Sequence, residues 1–123
     1  MSDIHMSGII ANTNMKELDK IFKQLFNDYP YSIENMSELY VENDDFDIFI
    51  HDDNVVREGY SKGNYDYLVS GLHNGGLDKA QNLLNKIAEV LESYNLKYSF
   101  EFFEENLQGA EKEKQYIIRH PEF

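Results

Sequence analysis

A change of hydrophobic period partway along the chain constrains its fold more than any other feature. Met15, Leu18, Ile21, Phe22, Leu25 and Phe26 recur at helical spacing, which lays them on one stripe, while Lys16, Glu17, Asp19, Lys20 and Lys23 fill the opposite side. From Ser37 the period becomes two. Leu39 and Val41 alternate with Glu38, Tyr40 and Glu42, and Phe46, Ile48 and Ile50 alternate with Asp45, Asp47 and Phe49, as in two strands of a hairpin that each bury one face. A second helical stripe follows, carried by Leu77, Ala80, Leu83, Leu84, Ile87, Ala88, Val90, Leu91 and Tyr94. Two one-sided helices need an apolar cover, and one face of one sheet supplies it.

Local signals set the boundaries. Asn14 stands three residues before Glu17, an N-cap arrangement that starts the first helix, and Tyr29-Pro30 ends that segment. Ser7 to Ala11 reads as a first strand, Val55 to Tyr60 and Tyr65 to Leu72 as two more, with turns at His51–Asn54 and Ser61–Asn64. His73-Asn74-Gly75-Gly76 interrupts the pattern and admits the second helix, for which Asn95 is the C-terminal cap. Strands at Lys97–Glu104 and Gln115–His120 follow, joined through a polar turn from Gln108 to Lys112. The expected fold is α+β: an antiparallel sheet with two amphipathic helices on one face, in the order (β)αββββαββ, of ferredoxin-like flavour. A chain of 123 residues suits one core, so residues 6–123 form a single domain. Residues 1–5 read as an expression-vector leader, because Asp3-Ile4-His5-Met6 is what a common cloning site encodes when read in frame.

Charge is the second constraint. Between Glu34 and Asp66 lie ten carboxylates and two bases, a net of −8 out of the chain's formal −12. A field of that sign attracts a basic partner and repels nucleic acid and anionic membranes. With 41% hydrophobic and 14% aromatic residues the block is not a disordered tail, so its charge decorates a folded surface. The absence of cysteine excludes disulfides, thiolate metal sites and a cysteine nucleophile. No apolar run approaches the ~20 residues that span a bilayer, and no basic-then-apolar leader is present; a cytoplasmic location is expected.

The remaining motifs give ordinary structure rather than chemistry. Asp44, Asp45 and Asp47 lack the alternate spacing, glycine and terminal glutamate of a calcium loop, and read as a solvated hairpin tip. His51, His73 and His120 show no zinc spacing, and His73, before a glycine pair, reads as a turn-bonding residue. Gly71 to Gly76 lies between strand and helix without the spacing of a phosphate loop. No pair of carboxylates is singled out as acid and base. The chain is therefore expected to be non-enzymatic, with no cofactor and no metal.

A small, acidic, cysteine-free α+β domain of this kind resembles bacterial immunity proteins and other proteinaceous inhibitors, which cover basic toxins, often nucleases. The resemblance implies a basic protein partner, bound through the acidic middle strands and their tyrosines. On that expectation the partner-binding residues are Glu42, Asp44, Asp45, Asp47, Asp52, Asp53, Glu58, Tyr60, Tyr65 and Asp66. Leu77 to Glu105 is also similar to the helix-then-strand of acidic regulators that inhibit ribonuclease E, a similarity from which no function is carried over. Two other classes fit the composition. A nucleic-acid mimic, such as an anti-restriction or anti-CRISPR protein, would space its carboxylates like phosphates along one face, and a small enzyme or ligand-binding domain would use an open sheet face.

Overall fold

The computed structural model describes residues 3–34, 37–104 and 115–123. The elements run β1 (Ile4–Thr13), α1 (Met15–Leu25), β2 (Tyr31–Glu34), β3 (Glu38–Glu42), β4 (Phe46–Asp52), β5 (Tyr65–His73), α2 (Leu77–Ser93), β6 (Tyr98–Glu104) and β7 (Gln115–Arg119). Seven strands pair antiparallel in the order β2-β3-β4-β5-β1-β6-β7. The class is α+β. The turn expected from Gln108 to Lys112 lies outside the described residues.

Both helices lie on the same side of the sheet. Met15, Leu18, Ile21, Phe22 and Leu25 of α1 and Ala80, Leu84, Ile87, Ala88 and Leu91 of α2 join one buried cluster with the inward residues of the strands. Those inward residues hold one parity in each strand: Ile4, Met6 and Ile10; Leu39 and Val41; Phe46, Ile48 and Ile50; Tyr67 and Val69; Tyr98, Phe100 and Phe102. At ~1.5–3 kcal/mol for each large side chain withdrawn from water, this layer dominates the favourable side of folding.

The helix ends follow the local code. The Asn14 side chain accepts from the Glu17 amide at 2.9 Å, so the expected N-cap is formed. Thr13 strengthens it by donating its hydroxyl to Glu17 Oε1. At the end of α2, Asn95 adopts φ 60°, while the Asn95 and Leu96 amides donate to Glu92 and Leu91 carbonyls at 2.9 and 3.0 Å. This double closure satisfies carbonyls that the helix leaves unpaired, and Asn tolerates the left-handed backbone it requires.

Three expectations are corrected. Val55 to Tyr60 is not a strand: Asn54 and Gly59 have positive φ, and Asp53 Oδ1 accepts from the Val55 amide, so the chain coils and leaves Val56 exposed. A strand not foreseen, β2, forms at Tyr31–Glu34, where Tyr31 and Ile33 pack inward. β1 is longer than Ser7–Ala11 and sits inside the sheet, between β5 and β6. Its first residues are Ile4, which is buried, and His5, which stacks on Phe103 at 5.0 Å.

Candidate functional site

The helices cover one sheet face, and the opposite face is open. An antiparallel sheet commonly exposes one polar face to water, so exposure alone marks nothing. The content of this face does. Leu68 and Leu72 are each 37% exposed and Ile117 is 51% exposed, on strands that would ordinarily turn polar residues outward. The register arranges the face in rows. One row crosses from Glu42 through Asp47 and Leu72 to His5 and Phe103; the next from Ser32 through Tyr40, Phe49 and Ser70 to Ser7; the third from Glu34 through Glu38, His51 and Leu68 to Ile9.

The face is thus polarised. Its β2–β4 third carries Glu34, Glu38, Glu42 and Asp47 around a stacked pair, Tyr40 and Phe49, whose rings are 4.7 Å apart and 20° from parallel. No lysine or arginine lies on these three strands. The rest is mixed: Ser7, Ile9, Leu68 and Ser99 line a cavity of about 410 Å³ together with Glu101 and Phe123, and Gln115, Ile117 and Arg119 continue the same face on β7.

Two cross-strand pairs in the acidic third are unfavourable. Glu34 is directly opposite Glu38, and Glu42 directly opposite Asp47. Like charges in such positions cost stability, where opposite charges would have contributed about 0.2–1 kcal/mol. The Tyr40 hydroxyl reports the field: its bond to Glu38 Oε2, at 2.7 Å, holds its pKa above the ordinary value, and the charges of Glu38 and Glu34 add to that.

The ten residues expected to bind a partner do not form one patch. Glu42 and Asp47 lie on the open face and Asp44 and Asp45 at the β3–β4 tip beside them. Asp52, Asp53, Glu58, Tyr60, Tyr65 and Asp66 lie at the other end of β4, roughly 20 Å away for a seven-residue strand. Asp52 falls on the helix-side parity of β4, opposite Tyr67, and its charge adds to the desolvation that raises the Tyr67 hydroxyl to about 12. Tyr65 packs against the core. Asp53 and Asp66 both engage Arg57, at 2.7 and 3.5 Å, and Asp66 Oδ1 also accepts from the Tyr60 hydroxyl and the Asn12 amide. The bond from Arg57 holds the Asp53 carboxyl below its ordinary value. These groups tie the β4–β5 loop down; Glu58 is the exposed acid among them.

At the hairpin tip, Asn43 Oδ1 accepts from the Asp45 and Phe46 amides, and Asn74 bonds the Asp44 and Asp45 carbonyls, which leaves both carboxylates in solvent. Among the described residues, no group of three or more histidine, aspartate or glutamate side chains is placed to hold a metal ion.

His73 ends β5 and its ring bonds the turn that follows. It is buried, stacks on Phe46 at 5.6 Å, and accepts from the Gly75 amide through Nδ1 at 2.9 Å, so the neutral ring carries its proton on Nε2. Burial lowers its pKa from the ordinary 6.5, with Asp45 opposing and Lys79 assisting. The unfolded chain therefore binds the proton more readily than the folded one. Stability contributed by neutral His73 is full above the unfolded pKa and is lost as pH falls through the lowered folded value. Thermal melts between pH 7.5 and 5.5 should show a falling midpoint, and His73→Asn should flatten that slope; an unchanged slope would remove His73 as its source.

Sequence reasoning missed Glu34 and Glu38 as site residues, together with Tyr40, Phe49, Leu68 and Leu72. Parity already placed Tyr40 with Glu38 and Glu42, and Phe49 with Asp47. Nothing local showed that the two rings would stack across strands. Comparison with protein-family models, curated proteins and solved structures gave no match. Among the described residues no helix is long and apolar enough to cross a membrane.

Proposed function

We propose that this protein is a non-enzymatic inhibitor that binds a basic protein partner through its open sheet face, in the manner of an immunity protein covering a toxin in the cytoplasm. The observation that carries the reading is the pair of opposed acids, Glu34–Glu38 and Glu42–Asp47, flanking the Tyr40–Phe49 stack on an uncovered face. Like charges held together at a cost to the free fold are relieved when a cationic surface settles on them, and the neighbouring rings supply apolar contact area. Size agrees. Six inter-strand gaps of ~4.8 Å and strands ~20 Å long give about 600 Å², close to the ~800 Å² that each partner contributes to a standard interface.

The core β1-α1-β4-β5-α2-β6, in the strand order β4-β5-β1-β6, reads as ferredoxin-like, with β2, β3 and β7 as extensions. On that view β2 and β3 are the additions that build the acidic third. A nucleic-acid mimic is less well served, because its carboxylates would form a continuous phosphate-like row, whereas these are interleaved with rings and divided between two ends of the sheet.

Inhibition by occupancy has a stoichiometric signature. Titrated into a basic toxin domain that it binds, the protein should form a one-to-one complex, abolish activity at one equivalent and leave the partner covalently intact. Protection by a small fraction of an equivalent, or turnover of a toxin product, would make the protein an enzyme.

A further inference from the structure

We infer that the corner of the open face formed by Glu34, Glu38, Tyr40, Phe49 and His51 is a guanidinium pocket that receives an arginine side chain of the partner. The inference rests on the reading above and narrows it from a basic surface to one side-chain chemistry.

A shallow depression of about 390 Å³ opens here, lined by Ser37, Glu38, Phe49, His51 and Asp52. Two rings line it, His51 leaning on Phe49 at 5.1 Å and 30°, and Tyr40 backs Phe49 by stacking on it from the neighbouring strand. His51 is oriented by its backbone. Its Nδ1 lies 2.9 Å from the Asp52 carbonyl, which only accepts, so Nδ1 donates and the neutral ring leaves Nε2 as an acceptor. Glu38 is also held, since its Oε2 accepts from the Tyr40 hydroxyl, and a carboxylate has a second oxygen to offer. Glu34 stands opposite Glu38 across the strands and adds negative charge.

Flat aromatic wall, positioned carboxylate and excess negative charge together match arginine better than lysine. A guanidinium is planar, weakly hydrated and able to stack on a ring while its N–H groups fork to a carboxylate. An ammonium is a compact, strongly hydrated point charge and gains little from the rings. No lysine or arginine on β2, β3 or β4 competes for the position.

The test uses the whole chain, ¹⁵N-labelled, with three probes followed by amide chemical shifts: N-acetyl-arginine amide, N-acetyl-lysine amide and a lysine decamer. The arginine amide should move the amides of Glu38, Phe49 and His51 in a saturable way and bind about two- to fivefold tighter than the lysine amide, the ratio that one cation–π contact provides. Phe49→Leu keeps an apolar residue at the position and should erase that preference, while Glu38→Gln should weaken both amides. Equal affinities, or arginine-induced shifts spread evenly over all acids, would overturn the pocket. If the lysine decamer then still maps to the open face of β2–β4, the wider reading survives without the pocket. If the decamer leaves that face unmoved, the wider reading falls, and the pocket falls with it.

Discussion

Truncating Phe100 to alanine is expected to cost about 3–5 kcal/mol of unfolding free energy, and Leu84→Ala about 2–5 kcal/mol, both large fractions of the ~5–15 kcal/mol available to a domain. Phe100 is 1% exposed on β6, stacked on Tyr98 at 5.3 Å, on a strand pinned between β1 and β7. Leu84 is buried on the face of α2 that meets the sheet. The Phe100 ring lies over Gly8, where a side-chain carbon would stand 2.5 Å from Phe100 Cδ1, so the glycine beneath it has no side chain with which to fill the space. Denaturant titration should show a lower midpoint with an unchanged slope. Leu68→Ala on the open face supplies the contrast, with a cost below about 1 kcal/mol. A Phe100→Ala cost as small as that would mean β6 is not packed as described.

Replacing Glu38, Glu42, Asp44 and Asp45 together with lysine is expected to slow association with a basic partner at least tenfold at low salt, within the ~10–10³ range of electrostatic steering. Four reversals add eight positive charges to a formal −12, which leaves −4. The salt dependence of association should flatten correspondingly. The fold should suffer little, because Glu38→Lys and Glu42→Lys turn two opposed like-charge pairs into attractive ones, which offsets the loss of the Tyr40 hydroxyl's bond to Glu38, and the melting temperature should hold or rise. Slower binding with equal or greater stability distinguishes acids kept for a partner from acids kept for the fold. Reversing Asp53 or Asp66 should do the opposite and lower stability, since Arg57, Tyr60 and Asn12 bond to them. Unchanged association rates for the fourfold variant would remove these acids from recognition.

Much of the architecture is legible in local pattern. The stripes on α1 and α2, the Asn14 cap, the left-handed Asn95 and the inward sets of β3, β4 and β6 follow from residues within a turn or two of each other in the chain. Periodicity failed where backbone bonds and left-handed residues overrode it, as at Asn54 and Gly59, where a β-prone Val55-Val56 pair was left outside the sheet. It failed also at Tyr31–Glu34, whose four residues are too few to display a period above noise.

The acidic block shows the division most clearly. Residue order alone places ten carboxylates in the middle of the chain, gives two helices that each need one covered face, and sets which residues of each strand share a side. It took long-range packing to bring Glu34 against Glu38, to stack Tyr40 on Phe49, and to draw Asp53 and Asp66 into a loop around Arg57. The physical reason is the range of the interactions. Helical stripes and strand parity are set by bond geometry between near neighbours, whereas register and strand order are settled by the burial of residues far apart in the chain.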